Sequence, residues 1–245
     1  MTAHKETVRG AFSSDERDAV YRAIFERRDV RKDFIPDAIP EDTLRRMLMA
    51  AHHAGSVGYM QPWDFLVIQE AATKQAIKNI FVDANNAAAL RYEGEKADLY
   101  RSLKLEGIEE APMNICVTCT RKRGGPSVLG RATVPETDLY STCCAIQNLW
   151  LAARAEGVGV GWVSILDYEA LKNVLGIPSP VWIVAYLCIG YVRAFGDQPD
   201  LEKAGWRKRL PLEQLVHYGQ WGNCVKADTA HEAEGNLIVN RNGQH

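Results

Sequence analysis

No stretch of the 245-residue chain reaches the roughly 18–20 consecutive apolar residues that a membrane span requires. The opening residues, MTAHKETVRGAFSSDE, are polar and carry no apolar signal-peptide core, so the expectation is a cytoplasmic protein. The charges nearly balance: the net charge is −2, which argues against a general affinity for nucleic acid or acidic membranes. HExxH is absent, and His52 and His53 are adjacent rather than spaced for ligation. The CVTC run at 116–119 reads as strand, where residues three apart point to opposite faces, so its sulfurs do not chelate one ion. No metal site is therefore expected. Of six cysteines, the five in apolar stretches (116, 119, 143, 144 and 188) read as buried, reduced thiols. No GxSxG elbow surrounds Ser164, which argues against hydrolase chemistry. The glycines of EGVGVGWVSI (156–165) follow a helix and lack dinucleotide-fingerprint spacing, which argues against a Rossmann site.

What is present is ordinary globular composition, 47% hydrophobic and 24% charged, enough for a sizeable core. Ser13 and Glu16 form a capping-box pattern that predicts a helix to about Arg28. Val20, Ala23, Ile24 and Arg27 share one face of it, which places Arg27 on a core-facing stripe. Pro40 opens a second helix with Leu44, Met47, Leu48 and Ala51 inward. Strands are predicted at 63–69, 114–121, 158–165 and 181–192, the last apolar enough to be central. Helices are predicted over 73–110, broken near Gly94, over 136–157 with Gly157 as C-terminal cap, and over 167–176. Residues 122–135 have loop composition. No repeat or linker is visible. The expectation is one α+β domain over 12–222, with a central mixed or antiparallel sheet surrounded by helices and flexible tails at 1–11 and 223–245.

Four stretches could carry chemistry. FERRDVRKDF (25–34) gathers Arg27, Arg28, Arg31 and Lys32 around Asp29. Cations at a helix C-terminus satisfy the dipole, and arginine forks clamp phosphate; both readings stand. Asp29 fits neither, because a carboxylate there faces the unfavourable pole. GSVGYMQPW (55–63) is a loop of small residues in which Met60 and Gln61 could flank a planar ligand. The glycines before Trp162 and Ser164 suggest backbone in close approach to a flat ring. KAGWRKRLPLEQLV (203–216) brings Arg207 and Arg209, either to the anion seat or to a solvated patch.

Together, RRDVR, SVGYMQPW, RSLKLEGIEEAP, ICVTC, YSTCCAIQNLWLAARAEGVGVGWVSI and GWRKRLPLEQLV resemble the flavin-dependent nitroreductase superfamily over roughly residues 12–222. Within it, the resemblance is to the 5,6-dimethylbenzimidazole synthases, the flavin destructases of cobalamin biosynthesis. Gly55 departs from the proline common at that place in the family.

That resemblance implies a nitroreductase-like fold, a homodimer with flavin at its interface, and reduced FMN as substrate rather than recycled cofactor. FMN would react with O2 and be cut into 5,6-dimethylbenzimidazole and erythrose 4-phosphate. Asp29 is implied as catalytic base or proton shuttle, and Ser164 as the second catalytic residue. Arg27, Arg28 and Arg31, with Arg207, would hold the phosphate; Val30, Ser56, Met60 and Gln61 would be further flavin contacts. The region 73–110 would cover the flavin and touch the partner subunit. Reduced FMN would come from a separate flavin reductase, with NAD(P)H acting only indirectly. Two alternatives remain open at this stage: an NAD(P)H-dependent nitroreductase, and a flavin-binding carrier or sensor without turnover.

Overall fold

The computed structural model describes residues 10–224. The chain divides into two compact units, residues 1–200 and 201–245. The first holds helices α1 (Ser14–Glu26), α2 (Glu41–His52), α3 (Ala71–Ala89), α4 (Gly94–Ser102), α5 (Thr137–Ala155) and α6 (Tyr168–Leu175). Its strands are β1 (Trp63–Ile68), β2 (Met113–Cys119), β3 (Val158–Val163) and β4 (Trp182–Tyr191). The second carries most of a one-turn helix, α7 (Asp200–Lys203), and a 3-10 turn at Leu212–Gln214. Among the described residues no helix is long and apolar enough to cross a membrane.

The sheet order is β1-β2-β4-β3, and every neighbouring pair is antiparallel. β4 is interior, as its apolar run requires. Alternation along β2 and β4 gives each sheet face its own core. Met113, Ile115 and Val117 with Leu187 and Ile189 meet Met47 of α2 and Ile146, Leu149 and Trp150 of α5. Cys116, Tyr186 and Cys188 meet Ile77 and Phe81 of α3 and Leu171 of α6. The opposite-face reading of the CVTC strand holds: Cys116 joins the α3/α6 core, while Cys119 lies against Thr142 of α5 on the other face.

Local signals account for most boundaries. Ser13 and Glu16 close the reciprocal capping box at the start of α1. Asp167 caps α6 by accepting from the N–H groups of Glu169 and Ala170, and Gly176 ends it in the left-handed region at φ 65°. The break near Gly94 is present, with φ 55° at the glycine itself. Helix does not continue to 110, however. α4 stops at Ser102, and Glu106 folds back to accept from the Ile108 N–H at 2.8 Å. There Gly107 is pressed against Phe34, whose ring would stand 2.6 Å from an added Cβ.

Three expectations need correction. α1 ends at Glu26, and Arg27 is already extended, at ψ 136°. The α1 stripe is not core: none of the helix is buried, and Val20, Tyr21, Ile24 and Phe25 are exposed. Periodicity establishes an apolar face but not a partner within the same chain. Cys143 and Cys144 are likewise exposed, on an α5 stripe with Tyr140, whereas Cys116, Cys119 and Cys188 are buried as expected. The tails expected at 1–11 and 223–245 lie outside the described residues, except for residues 10, 11, 223 and 224.

Candidate active site

After α1 the chain runs extended along β3. Asp29 makes a parallel bridge to Val160, and the Val30 N–H donates to the Val160 carbonyl at 3.0 Å. Only glycine at 161 permits this approach. A Cβ there would lie 1.9 Å from the Val30 carbonyl oxygen. Gly159 is tight against the Val30 side chain, at 3.1 Å. These glycines do bring backbone into close approach, but to the Asp29–Val30 segment rather than to a flat ring.

The Asp29 carboxylate is held from two sides. Oδ1 accepts from the Trp162 N–H at 2.9 Å, and Oδ2 is bonded to the Arg31 guanidinium. Burial pushes the Asp29 carboxyl above its ordinary range; Arg31, the Trp162 N–H and Arg27 oppose that shift without overcoming it. Such a group exchanges its proton nearer neutral pH than an exposed carboxylate does.

The three arginines differ in what they can do. The Arg27 guanidinium stacks over the Trp150 ring, 4.6 Å from its centre. Arg28 directs its terminal nitrogens to three backbone carbonyls: Phe25 and Arg27 at 2.8 Å and Asp197 at 2.6 Å. These bonds shape the turn out of α1, while its buried Nε–H has no acceptor. Arg31 faces Asp29 and, like Arg28, keeps a buried Nε–H without an acceptor. A buried donor left unmet costs free energy, and an anion at this place would satisfy it. The FMN phosphate fits that donor set. Ser164 is exposed, one residue past the end of β3 and two beyond Trp162, so on the order of 7 Å along the chain from the Asp29 anchor. Arg207 is exposed in the second unit.

Ser56, Met60 and Gln61 lie elsewhere on the sheet. Their loop enters β1, whereas the Asp29 cluster lies on β3, the opposite edge. The two places also differ along the strands: Trp63 of β1 is level, through Cys119, with Trp182 of β4, whereas Val160 is level with Ile189. The separation is on the order of 25 Å. The loop is tightly specified. Tyr59 and Gln61 sit at φ 53° and 46°, which non-glycine residues rarely adopt. Ser56 Oγ accepts from the Gln61 N–H at 2.9 Å. Arg123 donates to the carbonyls of Gln61 and Trp63 at 2.9 and 2.8 Å and grips Asp64 with two bonds. Met60 and Gln61 line a cleft of about 650 Å³ with Trp63, Phe65 and Leu48, which no residue of the Arg27–Arg31 segment reaches.

Trp150 and Arg123 escape the sequence reading. Trp150 sits at core spacing on an apolar helix, and Arg123 sits in a stretch of plain loop composition; neither carries a local mark of its role.

An extended acid-and-arginine segment is thus bridged to one edge strand, and a clamped loop lies at the other edge. The chain belongs to the nitroreductase family, whose model matches residues 24–191. Within that family its relatives include the 5,6-dimethylbenzimidazole synthase of Rhodospirillum rubrum. That protein is 45% identical over 190 residues, covering 77% of this chain and 90% of the relative. The synthase of the same name from Rhodobacter capsulatus is 41% identical over 202 residues, covering 82% and 97%. The family read from the motifs is thus the family found. In fold, the chain matches a BluB-like flavoprotein from Clostridium difficile 630 with a TM-score of 0.63 at 19% identity, covering 82% of this chain and 99% of that one. It also matches iodotyrosine deiodinase bound to FMN and 3-iodo-L-tyrosine, with a TM-score of 0.65 at 19% identity and coverage of 82% and 100%.

Proposed function

We propose that this enzyme fragments reduced FMN with O2, giving 5,6-dimethylbenzimidazole, the lower ligand of cobalamin, and erythrose 4-phosphate, and that residues 12–222 act as one catalytic domain. The observation that carries this reading is a half-buried carboxylate, Asp29, built into an arginine cluster and locked by the Trp162 N–H. Two relatives above 40% identity that bear the synthase name support it. A seat serving only to bind an anion gains nothing from a negative charge beside it. A seat that must also move a proton does.

Bound FMN supplies the oxygen-reactive ring and the ribityl chain that is cut. Arg27, Arg28 and Arg31 hold its phosphate, and the terminal nitrogens of Arg28 also fix the turn that presents them. Asp29 takes and returns protons at the ribityl chain. The Ser164 hydroxyl bonds the ring edge. Ser56, Met60 and Gln61 contact the flavin, and Val30 lies against it through the backbone that β3 fixes. A separate flavin reductase delivers reduced FMN, so NAD(P)H acts only through that partner. Aerobic incubation with excess FMN and a chemical reductant, followed by mass spectrometry, tests the reading. Accumulating benzimidazole supports it; complete recovery of intact flavin refutes it. Bleaching of bound flavin by NADPH alone would point instead to a conventional nitroreductase.

The working unit is a homodimer. One chain sets its two groups of flavin contacts on the order of 25 Å apart, farther than one flavin reaches, so each flavin needs the Asp29 cluster of one copy and the Ser56–Gln61 loop of another. The exposed α1 face and the Tyr140, Cys143, Cys144 stripe of α5 supply apolar surface for that pairing. Light scattering on the purified protein is expected to give twice the chain mass. In the native state, Cys143 and Cys144 are expected to react with a thiol reagent at least about tenfold more slowly than after denaturation. A monomer with both thiols fully reactive refutes the pairing.

A further inference from the structure

We propose that Trp150 is a positioning residue for the reaction, setting the backbone that carries Asp29 and the cation that seats the phosphate with one indole. This rests on the flavin-fragmenting reading above and extends it to a residue outside the contact set. The Trp150 Nε1–H donates to the Arg28 carbonyl at 3.2 Å. The face of the same ring carries the Arg27 guanidinium. The ring itself is buried in the α5 core, 6.4 Å from the Trp162 ring, so it cannot swing to follow either partner.

The peptide around Asp29 is therefore tied on both sides: before it by the indole at the Arg28 carbonyl, after it by Val160 at the Val30 N–H. With both ends fixed, the carboxylate has a set reach, and the Trp162 N–H completes its aim. Releasing the first tie leaves the arginines in place but frees the peptide that orients Asp29. Small misplacements of a reacting group cost rate far more than they cost binding.

The test separates the indole N–H from the indole ring. Trp150→Phe removes the donor, and replacement of Trp150 by β-(3-benzothienyl)alanine removes it while keeping the bicyclic shape, so folding is preserved in at least the second. FMN affinity by calorimetry is expected to stay within about threefold, because Arg27 keeps an aromatic face. Benzimidazole formed per flavin oxidised is expected to fall roughly tenfold. In ligand-free protein labelled with carboxyl-13C aspartate, the Asp29 titration is expected to move down, toward the ordinary range, as the loosened segment admits water. A merely structural role would lower affinity and product together and leave their ratio and the Asp29 titration unmoved, and that result overturns the proposal. If the unmodified protein forms no benzimidazole, the reaction assigned above fails, while the Asp29 titration still decides whether the indole positions the carboxylate.

Discussion

Asp29→Asn is expected to bind FMN at least as tightly as the unmodified protein and to form benzimidazole about a hundredfold more slowly, or worse. The amide keeps the shape of the carboxylate and can still accept the Trp162 N–H, so the turn out of α1 survives. It removes a negative charge from beside Arg27 and Arg31, which favours an incoming phosphate. It cannot take a proton. Calorimetry for affinity and chromatographic product counting for turnover separate the two effects, and unchanged turnover would remove Asp29 from the mechanism.

The same carboxyl predicts two pH dependences. A base must be ionised to act, and burial holds this one above the ordinary carboxyl value of 3.8. Turnover of the unmodified enzyme should therefore decline as the pH falls through that raised value, while the residual rate of Asp29→Asn stays flat there. For stability the sign is the reverse. A folded-state value above the unfolded one means the contribution is complete below the unfolded range and is lost as pH rises through the folded value. The amide is neutral throughout, so ligand-free Asp29→Asn should melt no lower than the unmodified protein above that window. A variant that melts lower at neutral pH would show that the Arg31 pair outweighs the burial.

Much of this site was legible in the sequence because its components are local. The RRDVR cluster, the capping box at Ser13 and the glycine-ended helices each express themselves within a few residues. So does β4, whose apolar run can only be interior. What stayed hidden is non-local. Arg27, Arg28 and Arg31 are equivalent in composition, yet the extended backbone turns one toward Trp150, one toward carbonyls and one toward Asp29. Nothing within five residues of Trp150 reveals that its N–H meets a carbonyl far earlier in the chain. The α1 stripe and Cys143–Cys144 show the complementary limit. Helical periodicity marks a face for burial, but it does not say whether the covering surface belongs to the same molecule.

Gly161 is the sharpest case, and its replacement by alanine carries the second large effect. The sequence presents a glycine in a strand, which signals close approach, with a flat ring as the expected partner. The structure shows backbone: the added methyl would lie 1.9 Å from the Val30 carbonyl oxygen and 3.0 Å from its carbon. A flexible side chain could yield, but a main chain bridged to β3 cannot do so without breaking the Val30–Val160 bond and drawing Asp29 off the Trp162 N–H. Gly161→Ala is therefore expected to destabilise the fold by about 3 kcal/mol, as overpacked cores do. For a chain of this length that lowers the melting temperature by roughly 6–12 °C. Unlike Asp29→Asn, it should weaken FMN binding as well as turnover, because Arg31 leaves with the displaced segment. Gly55→Ala is the matching control, since nothing lies within 4 Å of its added Cβ, and its stability should stay within about 0.5 kcal/mol of the unmodified protein. Thermal melts and FMN titrations of the two variants decide the matter. If Gly161→Ala melts and binds like Gly55→Ala, then β3 does not hold the Asp29 segment, and the carboxylate loses the anchor on which its catalytic role depends.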